Sequence, residues 1–332
     1  MAFWKNKTVL VTGGGGFIGS HLVELLLAAG ARVRVTDRSE EKIASTLAAV
    51  RGAVEFLPGD HLDFAFCQKA CRGAQYVMHL AARVGGVGYN LSHPGTLFFE
   101  NVIMSTNMME ASVRSGVERY LCVSSACVYP RSSTVPTPEE EGFRDDPEPT
   151  NLGYGWSKLV AEVQAKCCAI QYPLRIAVAR PYNAYGPRDD FRWETSHVIP
   201  ALIRKVLEKQ DPVLVWGDGE QSRAFVYVTD IARGMMLSLE KYPVPDPVNL
   251  GTEEEVRIKD LAALICEIAG ESPRVVFDPS RPSGQARRQA DTAKAKRLLG
   301  YEAQVPLREG LKRTIEWYRL AALRGGGIAS GE

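Results

Sequence analysis

The chain has 332 residues, 45% of them hydrophobic and 24% charged, enough to bury a full core in one large or two closely integrated units. Forty Lys and Arg against thirty-nine Asp and Glu leave a formal net charge of +1, which argues against a nucleic-acid or anionic-membrane partner. No apolar run approaches the ~20 residues of a bilayer span, and Met-Ala-Phe-Trp-Lys does not read as a signal peptide, so a cytoplasmic protein is expected.

Short runs rich in β-branched residues at 8–12, 32–37, 54–57, 76–80, 120–124 and 175–179 alternate with stretches of helical period. That alternation predicts an α/β fold, a doubly wound parallel sheet covered on both faces. Beyond Arg180 the prolines 181, 187, 200 and 212 interrupt the pattern; 248–250 reads as one more strand, with helices near 259–268 and 307–322. The expected organisation is a dinucleotide-binding unit over 1–180 and 224–251, with a smaller interleaved α/β unit over 181–223 and 252–325 for substrate. The glycine-rich tail at 325–331 is expected to fray. Seven cysteines, at 67, 71, 122, 127, 167, 168 and 266, form no disulfide framework and no zinc spacing, and no metal site is expected.

The first chemical signal closes the first strand. Gly13, Gly16 and Gly19 are spaced Gly-x-x-Gly-x-x-Gly before a helix over 18–29. Glycines let backbone amides approach a diphosphate, and the positive helix end, with Phe17 and Ile18 in its first turn, stabilises the charge. Eighteen residues after Gly19 the second strand ends in Asp37, whose carboxylate can accept both adenosine ribose hydroxyls and would repel a 2′-phosphate. This favours NAD, with the adjacent Arg38 softening the preference. Asp60 is placed to receive the adenine amino group, with His61 beside it in a structural role. Leu80, Ala81 and Ala82 leave room for ribose and diphosphate.

Ser124-Ser125-Ala126-Cys127 ends the fifth strand, and Tyr154 and Lys158 lie four apart near a helix start. Four residues apart, they share a helix face. An ammonium nearby lowers a phenol's pKa, so Tyr154 can take a proton from a sugar hydroxyl while Ser125 holds that hydroxyl. Tyr154 and Lys158 also count among the cofactor-binding residues.

Together with Arg180-Pro181-Tyr182-Asn183-Ala184-Tyr185-Gly186-Pro187 and 216–223, these motifs make the chain resemble the extended short-chain dehydrogenase/reductase family from about Lys7 to Tyr318, in particular its nucleotide-sugar epimerases, dehydratases and reductases. The resemblance implies a nucleotide-diphosphate sugar as substrate. It places Asn183 at diphosphate or sugar, Arg223 at the diphosphate and Trp216 near the base, with Gly86 and Val198 also among the substrate-binding residues. Arg281, in a basic run with Arg287 and Arg288, either approaches the diphosphate or stays solvated. Within the family, Cys127 and His197 look like the acid/base pair of GDP-fucose synthase, whereas 124–130 and 216–223 look more like GDP-mannose 3,5-epimerase. The pair would exchange protons at C3 and C5 once C4 is a ketone. Asp37 points to an epimerase that retains one NAD and away from a net reductase. The resemblance disfavours a dehydratase, because dehydratases of the family place an Asp-Glu pair near Cys127 and Ala126-Cys127 offers no carboxylate. A C4-epimerase needing only Ser125, Tyr154 and Lys158 stays open, as does a cofactor-binding scaffold without activity. Relatives dimerise through helices corresponding to 97–115 and 154–172; Met104, Met108, Met109, Val160 and Val163 either serve that contact or face their own sheet.

Overall fold

The computed structural model describes residues 2–323 apart from 194, 282 and 283, with only the backbone of Val87. Position 324 and the 325–331 tail lie outside the described residues. The first part of the chain runs β1 (Thr8–Thr12), α1 (Phe17–Ala28), β2 (Arg32–Asp37), α2 (Glu40–Thr46), β3 (Val54–Pro58), α3 (Phe64–Cys71), β4 (Tyr76–His79), α4 (Val87–Ser92), α5 (Pro94–Arg114), β5 (Arg119–Val123), α6 (Leu152–Gln171) and β6 (Arg175–Pro181). Then come β7 (Ala184–Tyr185), α7 (Val198–Leu207), β8 (Val213–Trp216), β9 (Ser222–Ala224), β10 (Val226–Tyr227), α8 (Val228–Lys241), β11 (Pro247–Leu250), β12 (Glu255–Arg257), α9 (Ile258–Ala269), β13 (Val275–Asp278), β14 (Arg287–Arg288), α10 (Ala293–Leu299) and α11 (Leu307–Leu323).

Seven of these strands form one sheet in the order β11-β6-β5-β4-β1-β2-β3, every pairing parallel. Val9, Leu10 and Val11 have no exposed surface, as expected of a central strand with helices on both faces. The order reverses between β1 and β4, and ligands of such sheets bind beyond the strand ends at that crevice. β4 stops at His79, one residue short of the predicted strand. There Thr12 Oγ1 accepts the amides of Leu80 and Ala81, both at 3.1 Å, and takes them out of the ladder.

The later elements build a second core in which Ile199, Ile203, Val213, Leu261, Ile265, Leu311 and Ile315 are buried, and Phe17 and Ile18 pack against it. Two two-stranded ladders, β7 with β10 and β8 with β13, and the three-stranded β12-β9-β14 sheet belong to this part. Met108 and Met109 are buried against their own sheet and helices and Met104 is buried at the cleft wall, whereas Phe99, Val163 and Ile170 on α5 and α6 are 61%, 47% and 88% exposed. The apolar outer face of this helix pair therefore comes from residues other than the methionines. Among the described residues, no helix is long and apolar enough to cross a membrane, and no group of three His, Cys, Asp or Glu residues could hold a metal ion.

Candidate active site

A cleft of about 1480 Å³ lies beyond the strand ends and reaches the second core. At one end stands the glycine turn. Gly13 has φ +64°, and a Cβ there would sit 2.9 Å from Ala81 Cα; at Gly19 it would sit 2.2 Å from the Gly13 carbonyl oxygen. Only glycine lets α1 start this close to the end of β1, which leaves a backbone cradle beside a helix N-terminus. Phe17, Ile18, Asp37, Arg38, Asp60, His61, Leu80, Ala81 and Ala82 line the same end, and Arg38 approaches Asp60 at 3.9 Å. A dinucleotide fits this donor set: amides and a dipole for a diphosphate, a carboxylate at the end of β2 for ribose hydroxyls. His61 Nε2 and Thr36 Oγ1 are 2.9 Å apart, and His79 Nδ1 lies 2.8 Å from Thr12 Oγ1. Burial lowers His61 to about 4 and drives His79 well below the usual imidazole range, so both are neutral struts.

Ser125, Cys127, Tyr154 and Lys158 line the middle of the cleft. Ser125 opens the short turn after β5, its Oγ accepting Cys127 N at 3.1 Å. The Lys158 ammonium donates to Val123 O at 3.0 Å and lies 5.4 Å from the Tyr154 ring centroid. Its influence on the phenol differs from the sequence expectation. Burial, reinforced by Cys127, raises the Tyr154 phenol well above its usual value, a Ser125 hydrogen bond works the other way, and burial lowers Lys158. The helical spacing correctly puts both side chains on one face, but the ammonium is turned toward a backbone carbonyl. Behind them lies a fully buried ion pair. Arg180 donates to both oxygens of Glu162, at 2.8 and 2.7 Å, and Ser124 Oγ donates to the same carboxylate, tying the end of β5 to α6.

Further along, Arg288 Nη2 donates to Cys127 Sγ at 3.7 Å. Arg288 pairs in register with Arg223 across β14 and β9, so two guanidiniums face one region. Burial, then the charge of Arg288, lowers Arg223 to about 10. Two cations held together away from water suit a dianionic group such as a diphosphate. The sequence signal for Arg288 is the alternation along its strand: Arg287 faces outward to Glu255 at 2.8 Å, and its neighbour faces the cleft. Arg281 takes the solvated of its two alternatives, its side chain 59% exposed. The Asp278 carboxylate, 3.7 Å away and one turn back in sequence, holds it over the Trp216 ring at 5.8 Å, outside the residues lining the cleft.

Trp216 lines the cleft 45% exposed, and Asn183 lines it with Nδ2 donating to Ala224 O at 2.9 Å. Gly86 approaches the loop before α7 closely: a Cβ there would be 3.3 Å from Ser196 O. His197 caps the N-terminus of α7 ahead of Val198, its Nδ1 3.8 Å from Asp189 Oδ1. Asp189 was not singled out in the sequence; only the folded loop brings it to the imidazole.

The model of the NAD dependent epimerase/dehydratase family matches residues 9–251. The chain is 34% identical over 326 residues to a dTDP-4-dehydro-6-deoxy-D-allose reductase from a Streptomyces species, covering 96% of this chain and 98% of that protein. It is 31% identical over 322 residues to a GDP-L-fucose synthase from Sinorhizobium fredii, covering 95% and 96%. The solved structure of a UDP-glucose 4-epimerase from Thermotoga maritima with UDP-glucose superposes with a TM-score of 0.85 at 32% identity, over 95% of this chain and 99% of that one.

Proposed function

The chain belongs to the NAD-dependent epimerase/dehydratase family, and on that premise we propose that it epimerises a nucleotide-diphosphate hexose, a GDP-hexose, at C3, C5 or both through a transient 4-keto sugar. The observation that carries the reading is the setting of Cys127. Burial pushes Cys67 up to about 12, Cys71 to about 11 and Cys122 to about 12, as expected of inert packing thiols. Cys127 is instead partly open in the cleft beside the Arg288 guanidinium, and Tyr154 and His197 line the same space.

Gly13, Gly16, Phe17, Ile18, Gly19, Asp37, Arg38, Asp60, His61, Leu80, Ala81, Ala82, Tyr154 and Lys158 would hold NAD. NAD held there would supply the hydride acceptor, and then the hydride donor, for C4. Ser125 orients the C4 hydroxyl and Tyr154 takes its proton. Because burial holds the phenol up, that transfer depends on positive charge brought near it, which Lys158 supplies by turning from Val123 O. Arg223 and Arg288 grip the diphosphate, with Asn183 beside them, and Trp216 stacks on the base. Gly86 and Val198 bound the sugar. With C4 a ketone, the adjacent C–H bonds are acidified; Cys127 removes a proton from one face and His197 returns one to the other. The apolar outer face of α5 and α6 pairs with a second copy, giving a homodimer.

A second reading, epimerisation followed by net reduction at C4, is favoured by the likeness over nearly the full chain to a 4-dehydro-sugar reductase and a GDP-L-fucose synthase. The test is to incubate the purified protein with GDP-, UDP- and dTDP-hexoses and with their 4-dehydro-6-deoxy derivatives, each with and without NADPH. Conversion of a GDP-hexose without net oxidation of reduced cofactor is expected. Conversion that consumes one NADPH per product establishes the second reading, and no conversion of any sugar contradicts both.

A further inference from the structure

We infer that Asp189 is a positioning residue for His197, its buried carboxylate holding Nδ1 so that Nε2 is the atom presented to the sugar. The inference rests on the reading of His197 as a proton donor beside the ketone. The Asp189 side chain is 3% exposed against 53% for His197, and Oδ1 lies at ion-pair distance from Nδ1. Among the described residues Oδ2 has no hydrogen-bond partner. The adjacent Asp190 is used differently: Arg192 donates to it through its amide at 3.0 Å, Nε at 2.9 Å and Nη2 at 2.8 Å, and Thr195 through Oγ1 at 2.5 Å. Asp190 ties the loop through Arg192 and Thr195; Asp189 Oδ1 accepts the Asp190 amide at 2.7 Å and, among the described residues, has the imidazole as its only ionic partner. A buried carboxylate with an unfilled oxygen is costly and calls for a role. The 3.8 Å separation is longer than a hydrogen bond, as is common for such pairs before ligand fills the site.

The charges around the imidazole define what Asp189 does. The protein walls around His197 oppose a proton on it even though about half of the side chain is open to the cleft, and so does the positive end of the ten-residue α7 whose N-cap position it occupies. Asp189, and then Asp190, outweigh these and hold the imidazole above its ordinary value. Arg192 is bound to Asp190, Lys205 two turns along α7 donates to Leu214 O, and Gly86 packs against the Thr195 and Ser196 carbonyls. The proton transfer then balances. The Cys127 thiolate removes the hydrogen next to the ketone as a proton, leaving an enolate. His197 delivers its Nε2 proton to the opposite face of the same carbon. Thiol and neutral imidazole remain, and exchange with solvent restores the starting forms.

The experiment is Asp189→Asn in the full chain with NAD bound. The NMR titration of His197, assigned by its loss in His197→Gln, is expected to fall by about one pH unit. The alkaline limb of kcat moves down equally, giving about a tenfold loss on that limb with KM little changed. Asp189→Glu restores part of both. A His197 titration unmoved by Asp189→Asn overturns the inference, whatever happens to turnover. A shifted titration together with full turnover in His197→Gln overturns instead the reading of His197 as the acid, while the Asp189 pairing stands.

Discussion

Arg180→Met removes the guanidinium that neutralises Glu162, and the cost follows from what is left behind. Both side chains are completely buried, and Arg180 also donates to Tyr129 OH at 2.9 Å and to Glu139 O at 2.7 Å. Methionine fills much of the space but leaves a carboxylate with Ser124 as its remaining hydrogen-bond donor and two acceptors unfilled. Breaking one side of such a pair costs about 3–5 kcal/mol, because an uncompensated charge stays in a low dielectric. For a chain of this size about 2 °C per kcal/mol is appropriate, which places the melting temperature about 6–10 °C below wild type. Calorimetry at fixed protein concentration reads this. The double variant Arg180→Met/Glu162→Leu leaves no charge and is expected to recover at least half the loss. A single-variant shift under about 2 °C, or a double variant as unstable as the two single losses added, would refute the reasoning.

Three further outcomes follow from the same structure. Gly19→Ala places a Cβ against the Gly13 carbonyl, so the purified variant is expected to carry little NAD; wild-type cofactor content on release and assay contradicts the cradle. His21 and His61 sit at about 4 in the folded protein against 6.5 unfolded, chiefly through burial. The folded chain therefore binds fewer protons between those values, and stability is lost as pH falls from about 6.5 to about 4, by roughly 3 kcal/mol for each histidine. A melting temperature unchanged between near pH 7.5 and near pH 5 would contradict this. Ile170→Asp puts a charge on the apolar face of α6 and is expected to convert a sedimenting dimer to monomer without loss of fold; a wild-type protein that sediments as a monomer removes the basis for the dimer.

Much of the fold was legible because its signals are local. The β1 and β2 boundaries match the predicted runs residue for residue, since Val, Leu and Thr, alternating in β2 with Arg32 and Arg34, end in glycine or aspartate. The glycine turn was legible for the same reason: its spacing is a property of seven consecutive residues. Helical spacing likewise put Tyr154 and Lys158 on one face. It could not say which acceptor the ammonium takes, because Val123 O is 35 positions away and comes close only through the packing of α6 on β5. Arg288 and Cys127 are 161 positions apart; alternation within β14 separates Arg288 from Arg287, but it does not reveal that β14 pairs with β9 and so brings Arg288 to Cys127. Asp189 carried no signal either, since two adjacent aspartates in a loop look alike until one is seen bound by Arg192 and the other buried beside His197.

The central claim is that the site opens C–H bonds next to a transient ketone through Cys127. Incubating wild type and Cys127→Ser with the converted nucleotide sugar in deuterated water, and locating deuterium by NMR, tests it most directly. The account predicts label at C3 or C5 with wild type and its loss in the variant, with NAD content unchanged. A product epimerised at C4 that carries no label at either carbon would contradict it.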